Sequence, residues 1–152
     1  MEKTIVIHLD EKDIEIPVKA SLAALSLYRA TFNSDLIRDL NELNQKLNPD
    51  PFIDAIKRVN INPGQMNQDE LAKALLNNID YSMLSDENIL PDGETQIKAL
   101  QILWTMTKTA DDSLSKFDKW CDRFELLPIR GIVDRCYEIW AEANTVTVDL
   151  KN

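Results

Sequence analysis

Residues 101–125, QILWTMTKTADDSLSKFDKWCDRFE, decide how the rest of the chain is read. Together with Ile97 and Leu100 just upstream, Leu103, Trp104 and Thr107 recur at helical spacing, which predicts a helix with one apolar stripe. Asp111-Asp112-Ser113 ends that pattern. Ser115 then opens a Ser-x-x-Asp start signal whose Asp118 precedes Trp120 and Phe124. The expectation is a helix, a polar break and a short aromatic helix, packed through the large apolar surfaces of Trp104, Phe117, Trp120 and Phe124.

Upstream, the period changes twice. Ile5, Ile7 and Leu9 alternate with polar positions, and Ile14, Ile16 and Val18 resume the alternation after Asp10-Glu11-Lys12-Asp13. This predicts a β-hairpin over residues 1–19, with those six side chains on one face. A lone hairpin is marginal in water, so that face must lie against helices.

From Ser21 onward the spacing is helical. Leu22, Leu25, Tyr28 and Phe32 form one stripe, and Asn33-Ser34 offers a break and a new cap. Leu36, Ile37, Leu40, Leu43 and Leu47 form the next, with Asp35, Arg38, Asp39 and Glu42 on its wet flank. Asn48-Pro49-Asp50-Pro51 stops that helix, and Pro51 suits the first position of another that carries Phe52, Ile53, Ile56 and Val59. Residues 60–68 read as a loop, after which Asn67 and Glu70 form a capping-box-like pair ahead of Leu71, Leu75 and Ile79. Residues 85–93, closed by Pro91-Asp92-Gly93, break the pattern again. After Pro128, the residues Ile129, Ile132, Val133, Cys136, Tyr137, Trp140 and Ala143 mark a final helix. The fold class expected is α+β, mostly α: the hairpin followed by a compact bundle of about five to seven helices. One domain is expected over residues 1–145, with 146–152 as a flexible tail or an added edge strand.

Composition narrows the function classes. The chain has 152 residues, 44% hydrophobic and 28% charged, with a formal charge of -9. That charge argues against nucleic-acid binding, which draws its affinity from clustered Lys and Arg. With only three glycines, all isolated, no phosphate-cradling loop exists. Two cysteines and one histidine cannot supply four zinc ligands, and Cys121 and Cys136 each lie among apolar helical neighbours, so two buried thiols are expected rather than a disulfide. No apolar run approaches the ~20 residues of a membrane helix. His8 has no nucleophile beside it in sequence and reads as a surface residue. Asp118 and Asp122, flanked by Lys119 and Arg123, read as a solvated face rather than a carboxylate pair or cation site. No catalytic, cofactor or metal site is therefore expected.

The combination of segments nevertheless resembles a family. LSLYRATFNSDLIRDLNEL at residues 25–43, LWTMTKTAD at 103–111, SLSKFDKWCDRFE at 113–125, and an Ile/Val-rich helix ending Glu138-Ile139-Trp140 are similar, in this order, to the short tail assembly chaperones of long-tailed bacteriophages and prophages. These blocks cover about half the chain, and the middle, residues 48–96, carries none of the likeness. The resemblance implies a non-enzymatic protein of the host cytoplasm that binds the aggregation-prone helical tape measure protein, delivers it to the tail tube protein, and is absent from the finished virion. It supplies no contact motif, so exposed aromatics are the candidates for partner binding: Tyr28, Phe32, Phe117, Trp120 and Phe124. The other reading of the same composition is a small acidic helical adaptor or regulatory module unrelated to phage tails.

Overall fold

The computed structural model describes residues 1–59, 67–80 and 90–145. Among these, two strands precede seven helices: β1 (Glu2–His8), β2 (Asp13–Lys19), α1 (Leu22–Phe32), α2 (Leu36–Leu47), α3 (Pro51–Val59), α4 (Gln68–Asn78), α5 (Gly93–Ala110), α6 (Phe117–Cys121) and α7 (Ile129–Ala143). The fold is α+β and mostly α. Residues 60–66 of the expected loop, 85–89 of the expected break and the tail at 146–152 lie outside the described residues. The chain divides into two compact units, Met1–Asn44 with Pro91–Asn152, and Gln45–Leu90.

The hairpin follows the sequence period. β1 and β2 pair antiparallel with Ile5 opposite Ile16 and Ile7 opposite Ile14. Ile5, Ile7, Ile16 and Val18 are buried while Thr4, Val6 and Glu15 face outward. Leu9 falls beyond β1 and is exposed, so it does not join that face. The buried face lies on helices, β2 against α5 and β1 against α7. Each of these side chains contributes about 1.5–3 kcal/mol when fully buried, which the hairpin alone does not obtain.

Helix ends are set by local chemistry. Asn33 takes the left-handed conformation (φ 53°) that closes α1, its N–H donating to Arg29 O at 3.0 Å. Asp35, not Ser34, caps α2, its carboxylate accepting from Arg38 N at 3.0 Å. Asp50 caps α3 by accepting from Phe52 N at 2.9 Å, with Pro51 in the first helical position as expected. Asn67 caps α4 as expected, its Oδ1 accepting from Glu70 N at 2.8 Å, while Glu70 Oε1 accepts from the Asn67 side-chain amide at 3.4 Å. Asp92 caps α5 through Thr95 N at 2.8 Å.

In the first unit α5 packs against β2, α1, α6 and α7. Every residue from Ile102 to Thr107 is buried. That segment is enclosed on all sides, so the one-stripe expectation is corrected there: Thr105 and Met106 are buried off the stripe. Nearer the start of α5, Ile97 of the expected stripe is 52% exposed. The buried hydroxyls are satisfied inside the helix, Thr105 Oγ1 donating to Gln101 O at 2.7 Å and Thr107 Oγ1 to Leu103 O at 2.9 Å. Likewise Leu22 at the start of α1 is exposed, and on α7 Ile139 is buried where Tyr137 is not.

Asp39 also departs from its expected wet flank. It is 1% exposed, and its Oδ2 accepts from Tyr28 Oη at 2.8 Å and Ser34 Oγ at 2.6 Å. Lys98 Nζ and Arg38 Nε each lie 3.7 Å from Oδ1. One carboxylate thus ties α1, α2 and α5. Burial alone raises the Asp39 pKa, but the Ser34 and Tyr28 hydroxyls, then the Lys98 and Arg38 charges, outweigh it and hold the carboxyl below its ordinary range. Burial and the adjacent carboxylate push the Tyr28 phenol upward, so it stays a donor.

A folded pKa below the unfolded value stabilises the protein above the unfolded pKa of about 4 and loses that contribution as pH falls through the folded one. Thermal unfolding followed by circular dichroism should therefore show Asp39→Ala destabilised by about 3 kcal/mol at pH 7, because Tyr28, Ser34 and Lys98 lose their shared acceptor. Asp39→Asn should flatten the acid-side decline below about pH 4 relative to the parent. An alanine variant as stable as the parent would show that the network contributes nothing net.

Candidate functional site

The five aromatic candidates come together, but inward. Tyr28 and Phe32, one turn apart on α1, have ring centroids 5.3 Å apart. Phe32 meets Trp104 of α5 edge-on at 5.7 Å and Phe117 of α6 at 5.5 Å. Phe117 continues to Trp120 at 6.4 Å, and Trp120 to Phe124 at 5.0 Å. Tyr28 is 0% and Trp120 2% exposed, so neither offers surface to a partner in this fold. Phe32, Phe117 and Phe124 are half-buried. The near-perpendicular pairs each add about 0.5–1.5 kcal/mol beyond burial, which makes the ring chain a tie between α1, α5 and α6.

Trp104 anchors this chain through its indole N–H, which donates to Ser115 O at 2.9 Å. Ser115 was read as a helix cap. Its carbonyl instead receives Trp104 and its hydroxyl accepts from Arg123 Nη2 at 3.2 Å, while α6 starts after Lys116 with no side-chain cap. α6 ends at Cys121, so Phe124 packs from the turn beyond it rather than from the helix.

Titratable groups do not assemble into a reaction centre among the described residues. His8 is exposed, its Nδ1 2.9 Å from Asp13 Oδ1. Asp111 spends its carboxylate on Ser113, accepting from the hydroxyl at 2.6 Å and the backbone N–H at 3.1 Å, and those bonds lower its pKa. No group of three or more His, Cys, Asp or Glu is placed to hold a metal among these residues. Both cysteines are free thiols, Cys136 buried and Cys121 half-buried. Burial pushes the Cys136 thiol up to about 12. Burial, then Asp118 and Asp122, raises Cys121. Neither is an activated nucleophile. A cleft of about 180 Å3 lined by Glu2, Lys3, Thr4, Pro17, Val18 and Ala110 is smaller than the ~300–1,000 Å3 of small-molecule sites. No described helix is long and apolar enough to cross a membrane.

Among the described residues, the outward apolar side chains that cluster on one element lie in the second unit. Most exposed large hydrophobics stand one to an element, as on any soluble surface. α3 differs: Phe52 is 57%, Ile53 52% and Ile56 50% exposed within five positions. At 100° per residue these side chains share one arc of the helix, while Asp54 and Arg58, paired at 2.8 Å, occupy the opposite side. Pro51 and Ala55 are buried on α3, which packs on α4. α4 has no fully buried residue, and Leu76 on it is 55% exposed. The sequence places Phe52, Ile53, Ile56 and Val59 on one short helix. α4 ends at Asn78, so of the expected Leu71, Leu75 and Ile79 stripe only Leu71 and Leu75 lie on it.

No family model, curated protein or solved structure matches this chain.

Two outcomes follow from the core chemistry. Trp104→Phe should cost about 1–2 kcal/mol more than Trp140→Phe, because Trp104 loses a made hydrogen bond whereas the buried Trp140 N–H has none among the described residues. Equal losses in urea unfolding would refute that difference. With a thiol-specific reagent at pH 8, the folded protein should react slowly at Cys121 and at Cys136 only after unfolding. Rapid titration of both thiols in the folded state would contradict the burial described.

Proposed function

We propose that this chain is a tail assembly chaperone that binds the tape measure protein and keeps its apolar helical segments covered until the tail tube protein assembles around them. The observation that carries this reading is the α3 stripe of Phe52, Ile53 and Ile56, an apolar helical face left open on an acidic chain. Such a face accepts an amphipathic helix by ordinary helix-to-helix packing, through anchors at i, i+1 and i+4. Coverage is reversible because only non-covalent contacts are made, which suits a protein shed before the particle is complete. The charge of -9 keeps the loaded complex dispersed. The order of the segments at residues 25–43, 103–125 and 138–140 supports the same family reading. Binding is the whole activity in this proposal. It takes place in the host cytoplasm, without cofactor or metal, and the aromatic residues Tyr28, Phe32, Phe117, Trp120 and Phe124 hold the fold rather than the partner.

The test is co-expression with the tape measure protein of the same genome, scoring how much of it becomes soluble and co-purifies. The parent chain should solubilise it. The double variant Ile53→Asp/Ile56→Asp should lose most of that effect, by about tenfold or more in recovered complex, with unchanged circular dichroism. A parent chain that leaves the tape measure protein insoluble would remove the chaperone reading and favour an acidic helical adaptor with another partner. Undiminished recovery with the double variant would move the contact away from α3.

A further inference from the structure

Among the described residues, one edge of the hairpin is interrupted by a proline and the other is unpaired. Met1 and Ala20 exchange backbone hydrogen bonds, Ala20 N to Met1 O at 3.0 Å and the Met1 amino group to Ala20 O at 3.1 Å. Leu9 N donates to Lys12 O at 3.0 Å at the other end of the same register. In an antiparallel pair, hydrogen-bonded and non-hydrogen-bonded rungs alternate. The odd residues of β1 therefore hold the hairpin together, and the N–H and C=O groups of Glu2, Thr4, Val6 and His8 point away from β2. On β2 the outward groups belong to Asp13, Glu15, Pro17 and Lys19. Pro17 has no N–H, so the β2 edge lacks a donor in its middle. β1 carries no proline, and no described residue hydrogen-bonds to its outward backbone. α5 and α7 cover the apolar face of the hairpin and leave this edge aside.

We propose that the outward edge of β1 pairs antiparallel with the same edge of a second copy of this chain, setting Glu2 opposite His8 and Thr4 opposite Val6 in one four-stranded sheet. The argument for a second copy is self-complementarity. Centred on Ile5, this register uses all four outward residues of both strands, the longest ladder that two copies of β1 can make. It keeps Ile5 and Ile7 on the face already turned to the helices, since strand parity is preserved across the new pair. It also sets an acid against an imidazole at each end, whereas shifting the register to place Glu2 against its own equivalent would face like charges. Each copy carries a formal charge of -9, so pairing should strengthen as salt screens the overall repulsion. The inference is independent of the chaperone reading, because β1 belongs to the first unit and the α3 face to the second.

The full chain should be followed by sedimentation equilibrium over a wide concentration range, alongside residue-resolved amide exchange. The mass should rise from 17.4 kDa towards twice that value. Over the same range, exchange at Thr4, Val6 and His8 should slow by about tenfold or more, while Asp13, Glu15 and Lys19 stay fast. Val6 and Glu15 face each other on one rung, so Val6→Pro and Glu15→Pro place the same residue on opposite edges without removing a hairpin hydrogen bond. Val6→Pro should weaken association by about tenfold or more and Glu15→Pro should leave it unchanged. If Val6→Pro fails to fold, the exchange pattern of the parent chain decides. A monomer at every concentration, or a dimer whose β1 amides remain fast, would overturn the proposal. So would protection at Thr4, Val6 and His8 that ignores concentration and disappears when residues 146–152 are deleted, because the occupant would then be this chain itself.

Discussion

Enclosure of α5 is the constraint on which the first unit depends. Six consecutive residues, Ile102–Thr107, have no solvent on any side, so the helix must present apolar surface in every direction and dispose of its polar atoms internally. Threonine does both. Its methyl packs outward, and its hydroxyl turns back to the carbonyl four residues earlier, as at Thr105 and Thr107. β2, α1, α6 and α7 can then each take a different side of one rod. The ring chain from Tyr28 to Phe124 and the Asp39 network add direction to this packing: the first draws α6 onto α1 and α5, the second locks α2 to both.

What the sequence disclosed was whatever depends on near neighbours. Alternation at Ile5, Ile7, Ile16 and Val18 gave the hairpin and its buried face, and the Asn67/Glu70 and Pro51 signals marked helix starts correctly. Leu9 and Leu22 failed because they extend a period past the point where the element has anything to pack against. α5 was misread for a different reason. A periodicity argument assumes one wet face, and the segment Ile102–Thr107 has none, so Thr105 and Met106 are buried off the stripe, whereas Ile97 lies before that segment and is exposed.

Asp39 was misread because its partners are remote. Tyr28 lies eleven residues away and Lys98 on another helix, and only tertiary structure brings a phenol and an ammonium to one carboxylate. A trace was present: position 39 falls three after Leu36 and four before Leu43, at the margin of the apolar arc. The aromatic candidates show the same asymmetry. Sequence spacing grouped Tyr28 with Phe32 on one face and expected Trp104, Phe117, Trp120 and Phe124 to pack together, but it did not show that Phe32 of α1 joins those rings. Rings interlocked edge to face lower their energy by staying together, whereas Phe52, Ile53 and Ile56 are each at least half exposed on α3.

The order of the chain gives the hairpin's packing a temporal side. β1 and β2 are complete at Lys19, yet the helix that covers β2 ends at Ala110 and the one that covers β1 at Ala143. At translation rates of roughly 5–20 residues per second, the face of Ile5, Ile7, Ile16 and Val18 is synthesised about 5–20 s before α5 is finished. During that interval the hairpin lacks its stabilising floor, and two strands alone do not persist. The hairpin is therefore made before, and settles with, the helices that receive it, and the nascent chain must hold four branched aliphatics in solution while the ribosome completes them.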